Sequence, residues 1–171
     1  RNKQFFMYRH FETARLNIRP LHLDDKNFIL ELVNTKAWLQ FIGNRKINTL
    51  KTAEEYIQKI IDNKNFFYSV FELKNTNLPI GIITFLYRDN HQHPDIGFAI
   101  LPKFEKKGYA FEASNAYLDL VKKEIIEDKI IAITLPENTA SIKLIEKLGL
   151  IYEADFLDND ETLQLYSMKI K

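Results

Sequence analysis

Cysteine is absent from the 171 residues. That absence removes disulfides, thiolate metal sites and a cysteine nucleophile, and it matches a reducing compartment. No apolar run approaches the roughly 20 residues of a membrane span, and no secretory apolar region follows a basic start. An excess of either charge is missing too. The 24 basic and 23 acidic residues leave a net charge of +1, so no global field argues for nucleic acid or a membrane surface as partner. There is no internal repeat, low-complexity tract or Pro/Gly-rich linker. The expectation is one domain over residues 11–171, long enough to bury about two thirds of its unfolded surface. Residues 1–10 are read as an N-terminal extension, part of which need not be native, and the default location is cytoplasmic.

Hydrophobic residues make up 46% and charged residues 27%, ordinary globular proportions, and their periodicity changes along the chain. RLNIRP (15–20) alternates as a short half-buried strand. Asp24 or Asp25 is placed to cap a helix that buries Phe28, Ile29, Leu32 and Val33. WLQFIG (38–43) closes this region and a polar loop follows. Thr52 and Glu55 have capping-box spacing ahead of Ile57, Ile60 and Ile61 at helical period. From Phe66 the pattern becomes strands: FFYSVFEL (66–73) and PIGIITFLY (79–87) as a hairpin, then 95–101. A helix follows Gly108, burying Ala110, Ala113, Ala116, Tyr117, Leu120 and Val121. IIAIT (130–134) is a buried strand, set parallel to 95–101 by a right-handed crossover. Asn138 caps a last helix that ends at Gly149, and 150–157 and 161–170 form a closing hairpin. The order β-α-α-β-β-β-α-β-α-β-β gives an α+β, mixed-sheet class.

The stretch Ile96 to Ala113, IGFAILPKFEKKGYAFEA, carries the chemistry. A strand stopped by Pro102, a basic turn and Gly108 opening a helix converge free N–H groups at the positive end of a helix dipole, which is an anion site. The plainer reading of the same residues is a turn with a solvated charged rim.

Three stretches together resemble the GCN5-related N-acetyltransferases, and in particular the Rim-type branch that acetylates ribosomal-protein N-termini: FETARLNIRPLHLDD (11–25), DIGFAILPKFEKKGYAFEA (95–113) and ENTASIKLIEKLGL (137–150). The resemblance implies a fold whose central parallel strands begin paired and then splay. It implies acetyl-CoA as cosubstrate, no metal, and direct transfer to an amine: a protein N-terminus, or a small amine such as a polyamine, amino sugar or antibiotic. The pantetheine would bond the backbone of Phe98, Ala99 and Ile100. Gly108, Tyr109 and Ala110 would offer N–H groups to the pyrophosphate, with Lys106 and Lys107 adding positive charge. Asn138 and Ser141 would meet the pantetheine or thioester, Ser141 as the group that protonates the leaving thiolate. Asp95 would accept the amine's proton through water, with Glu72 as rival. The acidic residues around 153–161 suit a cationic acceptor. His91 and His93 have metal-pair spacing without the carboxylates or cysteines to complete a site.

Two departures stand out. The family's loop is Arg or Gln, two residues, Gly, one residue, then Gly or Ala. Here Glu105 takes the first position, and Lys106 stands where the Rim branch often has glycine. Ile145 occupies the position of the tyrosine that many relatives use as general acid. These departures keep a second reading in play, an acyl-CoA-binding sensor without turnover. The expected assembly is a monomer or homodimer, the latter through an exposed last strand.

Overall fold

A computed structural model describes residues 9–171; most of the proposed N-terminal extension lies outside these described residues. One eight-stranded sheet runs from Phe11 to Lys169 in the order β1-β2-β3-β4-β5-β6-β8-β7. The strands are β1 (Phe11–Glu12), β2 (Leu16–Pro20), β3 (Phe66–Leu73), β4 (Pro79–Leu86), β5 (Asp95–Ile100), β6 (Lys129–Thr134), β7 (Ile151–Asp158) and β8 (Glu161–Lys169). Every neighbouring pair is antiparallel except β5 and β6. The helices are α1 (Lys26–Leu32), α2 (Lys36–Phe41), α3 (Leu50–Asp62), α4 (Tyr109–Glu124) and α5 (Thr139–Lys147).

The alternation of β-strand side chains divides the core in two. On one face α4 and α5 cover Phe67, Phe85, Ile96 and Ile130 with Ala113, Tyr117, Val121 and Ile145. On the other, α1 to α3 pack Phe28, Ile29, Leu32, Trp38, Ile57 and Ile60 over Val70 and Ile82. The seven expected strands match to within a residue or so, and β1, a two-residue strand paired with β2, is an eighth that was not expected. Along α4, Ala113, Tyr117 and Val121 are buried as expected. Ser114 and Leu118 complete the stripe, while Ala110, Ala116 and Leu120 are only partly covered.

The first third differs more from expectation. The segment 38–43, given no element of its own in the sequence, falls largely in a helix, Lys36–Phe41, because the Thr35 side chain accepts the Trp38 N–H and supplies an N-cap. Between β2 and β3 there are therefore three helices where the sequence suggested two. The capping box of α3 is Thr49 with Thr52, not Thr52 with Glu55, so the helix starts about one turn earlier. Asp25 does not cap α1 with its side chain. Its carboxylate accepts both terminal nitrogens of Arg19, at 2.9 and 2.7 Å, and the backbone N–H of His22. Burial makes this arrangement consequential: Asp25 is 5% exposed, and a charge so placed needs a partner.

At the other end, β8 lies inside the sheet and β7 is the edge. The exposed edge strand is thus the penultimate one, because the closing hairpin folds back between β6 and solvent. Its turn is set by Asn159 and Asp160, at φ 49° and 65°, the positive-φ pair of a two-residue hairpin turn. The end of α5 is equally local. Gly149 at φ 100° lets its N–H reach Glu146 and the Leu150 N–H reach Ile145, closing a Schellman motif.

Candidate active site

The parallel strands β5 and β6 share a single register pair, Asp95 with Ile131, joined by the Ile131 N–H donating to the Pro94 carbonyl at 2.9 Å. Beyond it the strands part, while β5 stays bonded to β4 as far as Ile100 opposite Gly81 and β6 stays bonded to β8 as far as Thr134 opposite Gln164. The Leu101 N–H donates to Ile80 of β4. Backbone direction alternates along a strand, so Ala99 also turns its polar groups to β4, and Phe98 and Ile100 turn theirs into the gap. By the same count Ile133 faces it from β6. Among the described residues these groups have no strand neighbour there. Polar backbone of this kind is matched when something extended lies between the strands.

At the open end of the gap the chain leaves β5 through Pro102 and turns into α4. Gly108 is the N-cap at φ 82° and carries no capping side chain, so the first-turn N–H groups of α4 are left without a side-chain cap. Lys106 adopts φ 61°, a left-handed conformation that glycine takes without strain. The turn therefore follows the backbone path of a glycine at that position although the side chain is lysine. Lys106, Lys107 and Glu105 are all exposed.

On the other side of the gap β6 leads into α5. Asn138 is its N-cap, accepting the Ser141 N–H at 3.3 Å, and Ser141 is half-buried. Ile145, one turn on, is 1% exposed and packs in the core, so it contributes hydrophobic contact and no polar group to the site.

Residues 15–151 match the model of the acetyltransferase (GNAT) domain. The chain belongs to the GNAT family of acetyltransferases. An uncharacterised N-acetyltransferase of Bacillus subtilis strain 168, YnaD, is 31% identical over 149 residues, covering 86% of this chain and 85% of that one. Among solved structures, a GNAT-family acetyltransferase from Bacillus anthracis superposes with TM-score 0.81 at 26% identity, over 95% of this chain and 99% of that one. A likeness of fold extends to RimL, a ribosomal L7/L12 α-N-protein acetyltransferase solved with coenzyme A (TM-score 0.80, 14% identity, 94% and 98% covered). As a GNAT enzyme the chain is an acetyl-CoA-dependent N-acetyltransferase.

Phe98 and Ile100 lie beyond the Asp95–Ile131 pair, where β5 and β6 have parted, and Gly108, Tyr109 and Ala110 open α4. Asp95 stands apart at the closed end of the gap, roughly 17 Å from Ile100 along the strand at about 3.3 Å per residue. It is 4% exposed, and Arg88 Nε donates to its Oδ2 at 2.7 Å. Burial pushes its carboxyl upward, while Arg88 and, more weakly, His91 pull the other way; the net direction is up. Glu72, two strands away on β3, accepts Arg19 Nε at 3.0 Å and belongs to the buried cluster with Asp25. Hydrogen bonding to Asp25 is the main cause that raises the Arg19 pKa above its ordinary value. His91 packs edge-on to Phe156 and His93 approaches Asp128. Among the described residues no group of three or more His, Cys, Asp and Glu is placed to hold a metal.

Two residues beside the turn escaped the sequence reading. Glu112, in the first turn of α4, accepts Thr13 Oγ1 at 2.6 Å, the Arg15 N–H at 2.9 Å and Arg15 Nε at 2.7 Å. The Arg15 guanidinium also lies 4.2 Å from the centre of the Tyr109 ring. Nearly one hundred residues separate the partners, and no local pattern announces such a pairing.

Proposed function

We propose that this enzyme moves the acetyl group of acetyl-CoA directly to a primary amine, with a protein N-terminus as the acceptor class. The observation that carries the proposal is the single-pair contact between β5 and β6. It leaves the Phe98 and Ile100 backbone groups available to the two amides of a pantetheine arm, as an added strand would use them. The open first turn of α4 suits the pyrophosphate, since small groups at Gly108 and Ala110 permit close approach. Acetyl-CoA supplies the thioester. The chain's own part is to hold it along β5 and to direct a backbone N–H at the oxygen on which charge develops, a donor whose loss typically lowers rate by about 10²–10³.

The amine nitrogen bonds to the acetyl carbon as the carbon–sulfur bond breaks. Its proton leaves toward Asp95 through water, and Ser141 at the start of α5 protonates the thiolate. The raised carboxyl pKa of Asp95 brings it closer to the range of a general base at neutral pH. Support for a protein N-terminus comes from the Rim-like stretches at 11–25, 95–113 and 137–150, and from fold neighbours described as ribosomal-protein acetyltransferases. A cationic acceptor also fits the acidic closing hairpin. Asp155, Asp158, Asp160 and Glu161 are exposed there, whereas Glu153 is tied to Lys129 and Ser167. Thiol release from acetyl-CoA, measured with short peptides of varied first residue and with polyamines and amino sugars, tests the assignment. Turnover with peptides is expected; turnover confined to small amines would replace the acceptor class.

A further inference from the structure

We propose that Arg15, brought in from the start of β2, is the cation of the pyrophosphate turn. Glu112 positions it. This rests on the cofactor reading above. Arg15 and Gly108 are 93 positions apart (108 − 15), yet one terminal nitrogen of Arg15 lies 3.3 Å from where a Cβ on Gly108 would sit. Arg15 is aimed by three contacts on two residues. Its Nε and its own backbone N–H are held by the two oxygens of Glu112, and its guanidinium plane rests against the Tyr109 ring. Thr13 holds the same carboxylate from the other side.

These contacts use Nε and the face of the guanidinium. The two terminal nitrogens make no hydrogen bond or ion pair among the described residues. They form a fork of donors suited to bidentate phosphate binding. The Arg15 side chain is 44% exposed and, with Gly108 and Asn115, borders an open hollow of about 510 Å³ whose lining also includes the carboxylates of Glu12, Glu112 and Asp119. A cation beside a helix N-terminus is disfavoured by the helix dipole. Glu112 offsets that locally, and an anion held jointly by the guanidinium and the α4 N–H groups would satisfy both. Glu105, by contrast, is exposed and begins the turn with a negative charge.

Binding of coenzyme A and of pantetheine, which has no phosphate, is measured by calorimetry and amide shifts for the wild type and Arg15→Gln, with the unliganded melting temperature recorded for each. Arg15→Gln is expected to weaken coenzyme A by about tenfold or more and to leave pantetheine unchanged. Glu105→Arg in the Arg15→Gln background, which returns a cation to the turn, is expected to recover most of the loss. Equal coenzyme A affinity in wild type and Arg15→Gln overturns the proposal, as does an equal loss for both ligands, which marks a merely structural clamp. A wild type that binds no coenzyme A overturns the cofactor reading itself. Where Arg15→Gln does not fold, phenylglyoxal modification of Arg15 in the wild type is followed by mass spectrometry. Protection by coenzyme A but not by pantetheine supports the role, and absence of protection by coenzyme A overturns it.

Discussion

Replacing Gly108 with alanine is the sharpest perturbation of the phosphate turn, because it adds one methyl group where both backbone and surroundings resist it. At φ 82° a residue with a Cβ sits in left-handed space, at a cost of about 1–2 kcal/mol. The new Cβ would stand 3.3 Å from an Arg15 terminal nitrogen. An unrestrained arginine would move aside freely. Arg15 is held at Nε by Glu112 and against Tyr109, so relief comes by loosening that clamp or by turning residue 108. The variant is expected to lose about 1–2 kcal/mol of stability, which for a domain of this size lowers the melting temperature by roughly 2–8 °C. A turn rotated to relieve strain no longer aims the Tyr109 and Ala110 N–H groups at one point, and coenzyme A affinity is expected to fall by about tenfold. Thermal melts and calorimetric titration at fixed ionic strength read the two effects separately. An alanine variant that melts with the wild type and binds coenzyme A equally would refute the reasoning.

Arg19→Ala leaves the carboxylates of Asp25 and Glu72 buried without their shared partner, and urea denaturation should show about 3–5 kcal/mol of lost stability. Asp95→Asn is expected to lower kcat by about 10²-fold or more with unchanged coenzyme A affinity; an unchanged kcat would confine Asp95 to its pairing with Arg88. For Glu112, burial alone would raise the carboxyl pKa, but the bonds from Thr13 and Arg15 outweigh it and the net direction is down. Its contribution to stability is therefore present above the unfolded carboxylate range near 4.3 and is lost as pH falls through the folded value. Urea midpoints for wild type and Glu112→Gln should accordingly be separated above about pH 4.3 and draw together as pH falls below it. Asn138→Ala removes the α5 cap and should cost about 1 kcal/mol in thermal melts.

The parts of the fold legible in the sequence are those specified locally. Apolar runs bounded by turn residues placed β3, β4 and β5 to within a residue, and β3 and β4 bury both faces, one under α4 and α5 and the other under α1 to α3. Asn138 and Gly149 announced both ends of α5 through cap chemistry that needs no distant partner. The turn at Gly108 was legible for the same reason. What escaped was set by tertiary contact. Asp25 reads as a cap but is claimed by Arg19, and the helix at Lys36–Phe41, capped by Thr35 and anchored by buried Trp38, was not anticipated. The position of β8 inside the sheet depends on how the closing hairpin docks on β6, which neither strand's pattern encodes. The Arg15–Glu112 clamp joins segments that no spacing argument connects.

The central claim is that the gap between β5 and β6 receives the pantetheine arm. Amide hydrogen exchange at Phe98, Ala99 and Ile100, measured residue by residue with and without coenzyme A, tests it most directly. The account predicts that the Phe98 and Ile100 amides, which face the gap, gain protection on binding, while Ala99, already in the ladder with β4, changes little. Binding with no added protection at Phe98 and Ile100 would contradict it.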